Sequence, residues 1–152
     1  MSLPPLRAAR PADRSAIRTL LEASALPTAD LETSAARFVV ACEGPDLVAT
    51  GALEVFGTTG LLRSLAVDAA HRGTGIGRAI VGRLEQEAGA LALGEIVLPT
   101  LTARGFFERQ GYRVIAREAA PAAVRASEEF RRLCPQSASC LSKELAPSAA
   151  AR

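Results

Sequence analysis

The sequence predicts an α/β (α+β) domain in which a mixed, mostly antiparallel sheet is flanked by helices, and three observations predict it. Residues 37–43 (RFVVACE), 47–56 (LVATGALEVF) and 61–67 (LLRSLAV) are strand candidates in close succession, separated by Gly44, Pro45 and Asp46 and by residues 57–60. Turn residues of this kind join consecutive strands into antiparallel hairpins. The third strand then breaks into HRGTGIGRAI, residues 71–80, and into the helical pattern VGRLEQEAGALAL. Finally the chain reads as strand (residues 95–98), short helix (residues 102–110) and strand, an order that mixes parallel with antiparallel pairing.

Taken from the N-terminus, residues 3–9 form a short strand candidate. Pro11 and the early acid Asp13 open a helix over residues 11–25, with Ile17, Leu20, Leu21 and Ser24 on one face. Residues 26–36, with Pro27 and two Thr, read as a loop or short helix. Gly94 is the C-cap candidate of the long helix, and Gly111 closes the short one. In the tail, PAAVRASEEFRRL is expected to be a helix over residues 121–133, stopped by Cys134 and Pro135, and SASCLSKEL a final strand. A helix placed between the last two strands is a candidate lid. The domain is expected to span residues 1–145, with residues 146–152 a disordered tail.

A chain of 152 residues, 49% hydrophobic, builds one domain with a real core and is too short to promise two. Its formal charge of +2 is dispersed, which leaves no footprint for a nucleic-acid partner. No apolar run approaches the roughly 20 residues of a membrane span, and the N-terminus lacks a signal-peptide core, so no membrane partner and a cytoplasmic location are expected. Cys42, Cys134 and Cys140 are an odd number without a CxxC pair, as suits reduced thiols.

The glycine-rich segment carries the chemistry. A strand that breaks into glycines and then into a helix N-terminus gathers free backbone N–H groups, and the helix dipole adds about half a positive charge there. That is a cradle for an anion, commonly phosphate. No Lys follows the glycines, as a P-loop requires, and the third glycine of GxGxxG would fall at Arg78 or Ile80. What remains is Arg72, Gly73, Thr74, Gly75, Ile76 and Gly77, the pattern Arg-x-x-Gly-x-Gly after a strand ending in Val67 and Asp68.

This resembles the pyrophosphate loop of the GNAT superfamily of acyl-CoA N-acyltransferases. A second stretch agrees: in TLTARGFFERQGYRVI, starting at Thr100, the residues Ala103, Phe106, Gly111 and Tyr112 fall on the family's later motif. Thr100 stands where Asn is common, and Phe107 where a Tyr often acts as general acid. The resemblance, covering residues 6–115, implies the GNAT fold and acetyl-CoA as cosubstrate with no metal. It further implies that Leu65, Ala66 and Val67 offer backbone to the pantetheine and thioester, that the loop from Arg72 through Arg78 holds the pyrophosphate, and that Phe106 and Phe107 complete the coenzyme site. A homodimer is compatible with this fold, and the sequence places no interface.

Acyl transfer needs a deprotonated amine and a proton for the departing thiolate. Glu54 is the best carboxylate for direct or water-mediated deprotonation, an exposed rim acid being the other reading. His71 suits a solvated or phosphate-facing position better than a base. Arg63 is a candidate anchor for an anionic group on the acceptor, against a structural ion pair. With Phe107 in place of Tyr and Tyr112 expected to be buried, water or Ser64 is left to protonate the thiolate.

The tail carries a narrower resemblance. Pro121, Val124, Ser127, Glu129-Phe130 and Leu133-Cys134-Pro135 recur in GNAT proteins of the arsenic-resistance type, which implies an acetyltransferase associated with arsenic detoxification. Cys134 and Cys140 are candidates for a soft metalloid or a labile disulfide, with buried thiols as the plainer reading. The sequence therefore points to an N-acetyltransferase for a primary amine of a small, anionic, amino-acid-like acceptor. A protein N-terminal acetyltransferase, or a non-catalytic sensor of acyl-CoA or arsenicals, are the alternatives.

Overall fold

The computed structural model describes residues 3–133 and 137–146. Strands β1 (Leu6–Ala8), β2 (Arg37–Glu43), β3 (Asp46–Phe56), β4 (Thr59–Val67), β5 (Glu95–Thr100), β6 (Arg113–Ile115) and β7 (Ser139–Glu144) form a seven-stranded sheet. Their order is β1-β2-β3-β4-β5-β7-β6, and every pair is antiparallel except β4 with β5, which is parallel. The hairpin expected across residues 57–60 is tighter than that: Phe56 already pairs with Thr59, so Gly57 and Thr58 alone make the turn.

Helices α1 (Arg14–Ala23), α2 (Ile76–Ala90), α3 (Arg104–Arg109) and α4 (Ala122–Arg125) cover the two faces. On one face Ile76, Ile80 and Leu84 of α2 and Phe107 of α3 share a buried cluster with Leu53, Leu62, Ile96 and Leu98. On the other, Ile17 and Leu21 of α1 pack with Val40 and Ala66, while Val124 and Phe130 pack with Leu61, Val97 and Cys140. Burying each such side chain is worth about 1.5–3 kcal/mol, so both faces are held by core packing. The helix expected from Pro11 begins instead as a 3-10 turn, Pro11–Asp13, before α1 proper.

The feature that makes a site is the parting of β4 from β5. Thr59, Gly60 and Leu61 pair with Glu95, Ile96 and Val97, and no pairing follows beyond them. Two local causes operate. Pro99 removes a backbone donor from β5. A bulge in β4 sets Ser64 and Leu65 against Gly51 alone, since Thr50 pairs with Ala66 and Ala52 with Arg63. Ser64 carries the bulge at φ 58, a left-handed conformation that few non-glycine residues adopt.

Gly51 is required for space. A Cβ there would lie 2.6 Å from Ile80 Cγ2 and 3.3 Å from Leu84 Cδ1, because α2 crosses β3 at this point. Gly51→Val is expected to cost about 1–3 kcal/mol by overpacking, read as a lower urea midpoint at unchanged slope.

The C-terminus of α2 departs from expectation. Leu91 caps the helix, Ala92 takes the left-handed turn at φ 59, and the Leu93 amide returns to the Ala88 carbonyl. Gly94 instead donates its amide to the Thr58 carbonyl, tying β5 to the β3–β4 turn.

The expected helix over residues 121–133 is also broken. Ser127 Oγ donates to the Val124 carbonyl at 2.6 Å and accepts from the Phe130 amide at 3.3 Å, a local pattern that competes with helix continuation. The chain resumes as a π-helical turn, Glu129–Leu133. Cys134, Pro135 and residues 147–152 lie outside the described residues, and with them the Cys134–Cys140 pairing and the tail expected from residue 146 on. Cys140 itself is buried in β7, and among the described residues no helix is long and apolar enough to cross a membrane.

Candidate active site

A cleft of about 1130 Å³ occupies the gap between β4 and β5. Its walls are residues 62–67 and 98–103, its near end is Arg72 and Gly77, and its far end is residues 23–29 and Glu129. Typical small-molecule pockets reach about 1000 Å³, so this one has room for an extended cosubstrate and a small second ligand.

At the near end the glycine-rich loop leads into α2. Gly73 at φ 79 and Gly75 at φ 93 adopt left-handed conformations, and Gly75 is the N-cap residue. Asp68 accepts the Ala70 amide, Thr74 Oγ1 donates to the His71 carbonyl at 2.6 Å, and Arg72 Nε donates to the Val67 carbonyl at 3.2 Å. These bonds brace the loop from within, and the first amides of α2 have no partner inside the helix. Ile76 anchors it through a buried side chain, whereas Thr74 and Arg78 are exposed. His71 lies outside the cleft wall, with Nε2 3.2 Å from Glu43 Oε2.

Along the wall, the Asp68 amide donates to Val48 of β3 at 2.8 Å. Successive amides on a regular strand point to opposite sides, so that of Val67, between Asp68 and the paired Ala66, turns away from β3. Phe106 and Phe107 line the opposite side, their rings edge to face at 5.0 Å. Phe106 also lies over Gly77, packing α3 against the N-terminal turn of α2. Thr100 Oγ1 accepts the Ala103 amide at 3.0 Å and so fixes the loop before α3. Tyr112 is not part of the wall: its hydroxyl donates to Glu85 Oε2 at 2.9 Å, and burial together with the Glu85 charge pushes its pKa up. As expected, it is a poor proton donor.

The far end holds an arrangement the sequence did not announce. Arg63, with its side chain 3% exposed, donates from Nη1 and Nη2 to both Asp30 carboxylate oxygens at 2.6 Å each. Nη1 also reaches Glu54 Oε1 at 3.2 Å, and Nη2 lies 3.1 Å from Glu129 Oε2. Four elements meet here: β3, β4, the loop after α1 and the π-helical turn. Three carboxylates thus surround one guanidinium, leaving an excess of negative charge in a buried site.

Of the two readings open for Arg63, the structure shows the ion pair. Arg63 does not offer an open fork to a ligand, because Asp30 already occupies both of its ends. Burial alone would lower the Arg63 pKa, but the Asp30 hydrogen bonds and the Glu129 charge hold it above its ordinary value, so it stays charged. Glu54 sits behind Arg63 and contributes nothing to the cleft wall; among the described residues the carboxylate on that wall is Glu129. Ser64 does lie on the wall, between Arg63 and Leu65. No group of His, Cys, Asp or Glu among the described residues is arranged to hold a metal ion.

Comparison with known proteins agrees with this geometry. Residues 34–114 match the family described as Acetyltransferase (GNAT) domain. An amino-acid acetyltransferase of Mycobacterium tuberculosis is 38% identical over 140 residues, covering 85% of this chain and 78% of the relative. The crystal structure of Rv2747 from Mycobacterium tuberculosis, in complex with CoA and NLQ, superposes with a TM-score of 0.79 at 30% identity, over 94% of this chain and 100% of that one. N-acetylglutamate synthase from Neisseria gonorrhoeae, complexed with coenzyme A and N-acetyl-glutamate, shares the fold with a TM-score of 0.82 at 17% identity, over 96% of this chain and 36% of the synthase. With sequence, fold and parted strands in agreement, the chain belongs to the GNAT family of acetyltransferases.

Proposed function

We propose that this acetyltransferase moves the acetyl group of acetyl-CoA to the amine of a small, amino-acid-like acceptor within a ternary complex. The observation that carries the reading is one cleft with the glycine loop and N-terminus of α2 at one end and a buried carboxylate at the other. The pyrophosphate belongs at residues 72–78, where each charge-assisted contact is worth about 1.5–3 kcal/mol. The pantetheine follows the amides of Leu65 and Val67, with Phe106 and Phe107 opposite. The acceptor then lies beyond Ser64, among residues 23–29 and the exposed Leu101.

Energetics favour a less basic amine. At pH 7, deprotonating a lysine-like amine of pKa ~10.4 costs about 4.6 kcal/mol, against about 1.1 kcal/mol for a peptide α-amine of pKa ~7.8. The choice of an amino-acid-like acceptor is supported instead by the relative named as an amino-acid acetyltransferase. On the leaving side a thiol of pKa ~8.5 asks little of an acid, so Ser64 or water suffices where Tyr112 is engaged elsewhere. The tail's arsenic-resistance resemblance includes Cys134 and Pro135, which lie outside the described residues, and it adds nothing to the choice of acceptor.

Thiol release from acetyl-CoA, followed with the twenty amino acids and with short peptides, tests the reading alongside calorimetry. Amino-acid-dependent release is the expected result. Release with peptides alone moves the acceptor to protein N-termini, and binding without release makes the protein a sensor.

A further inference from the structure

Building on the acetyltransferase reading, we infer that Glu129 is the catalytic base that takes the ammonium proton of the acceptor, and that Asp30, Arg63 and Glu54 are positioning residues for its carboxylate. Glu129 is 6% exposed, yet it lies on the cleft wall at the acceptor end. Its Oε2 is within ion-pair distance of Arg63 Nη2 at 3.1 Å but has no hydrogen-bond partner, because Asp30 takes the guanidinium fork. A buried carboxylate oxygen that has an ion pair but accepts no hydrogen bond keeps acceptor capacity that a ligand can use, and an ammonium supplies the donor.

The backbone around Glu129 is braced. Ser127 Oγ holds the Phe130 amide, the Arg131 amide reaches the Ser127 carbonyl at 2.9 Å, and Arg117 Nη2 donates to the Phe130 carbonyl at 2.6 Å. Glu129 opens the π-helical turn, a local form frequent at functional sites. Burial pushes its carboxyl above the ordinary range; Arg63 opposes this, and Asp30 and Glu54 add to it. A base works best when its pKa approaches the operating pH, and burial, Asp30 and Glu54 together move Glu129 in that direction against the pull of Arg63.

Protons and bonds balance in this scheme. The acceptor ammonium gives one proton to the Glu129 carboxylate and becomes a neutral amine. Its lone pair forms the N–C bond at the thioester carbonyl and the C–S bond breaks. The second amine proton leaves the nitrogen as the thiolate is protonated, and Glu129 returns its own proton to solvent.

The test compares wild type, Glu129→Gln and Glu129→Asp with acetyl-CoA and whichever amino acid wild type acetylates fastest. For Glu129→Gln, kcat at pH 7 is expected to fall about 100-fold or more while acetyl-CoA affinity is unchanged. The acidic limb of the kcat/KM profile should vanish, leaving a rate that climbs only toward the amine's own pKa of about 8 or above. Glu129→Asp, which keeps the charge, should retain that limb with a smaller loss, and it serves if the Gln variant fails to fold. Retention of the limb and of kcat within about threefold in Glu129→Gln overturns the inference, since general bases contribute far more. Acetyl-CoA binding by wild type without acetylation of any amino acid overturns the amino-acid acetyltransferase reading beneath it. A deficit in the variants alone cannot be mistaken for that outcome.

Discussion

Replacement of Arg63 by Met is expected to lower stability at pH 7 by about 3–5 kcal/mol, the cost of leaving buried charges without their partner. The substitution removes the cation that Asp30, Glu54 and Glu129 share, with side chains only 8%, 16% and 8% exposed. For a domain of this size that corresponds to a melting temperature lower by about 6–20 °C. The pH dependence has a definite sign. The folded-state pKa of Glu129 is raised, so native protein keeps a proton that unfolded protein has lost once pH exceeds the ordinary glutamate value. Its contribution therefore falls as pH rises through that window. Without Arg63, whose charge opposes the shift, the window widens and more stability returns on acidification. Thermal denaturation at pH 5 and pH 7 reads this directly: the deficit should shrink at pH 5 and shrink further in the Arg63→Met, Glu129→Gln double variant. Equal melting temperatures for wild type and Arg63→Met at pH 7 would remove the buried cluster from the account.

The same cluster marks where sequence reading stopped. Hairpins, the glycine loop and the apolar faces of α1 and α2 were legible because each rests on local chemistry: a turn residue, a missing Cβ, a periodic face. The bulge left a weaker trace, a lone glycine inside the apolar run LVATGALEVF, where a close backbone approach or bulge is the usual reason. Arg63 left a trace as well. An arginine within TGLLRSLAV, a strand buried along most of its length, needs buried partners. Nothing local says which they are, because Asp30 lies in a loop without periodicity and Glu129 follows the break at Ser127. Glu54 was visible because it sits on a strand, and its register behind Arg63 was not. Strand parting was equally hidden, since pairing that stops after Leu61 and Val97 depends on two chains diverging rather than on either alone.

Gly75→Val is expected to weaken acetyl-CoA binding about 100-fold while leaving the fold intact. At φ 93 a β-branched residue pays about 1–3 kcal/mol of backbone strain, although a Cβ would meet nothing within 4 Å. The cost therefore comes from conformation and not from a clash, and the loop relieves it by moving its amides off the cradle. Losing one charge-assisted contact forfeits a further 1.5–3 kcal/mol, roughly a 10- to 160-fold change in affinity. S-acetylpantetheine, which has no pyrophosphate, separates this from general damage. With the truncated donor, kcat/KM should be nearly the same for wild type and variant, because the wall from Leu65 to Val67 and the base inferred at Glu129 are untouched. A variant impaired equally with both donors would mean that the loop supports the cleft as a whole, and the assignment of residues 72–78 to the pyrophosphate would fall.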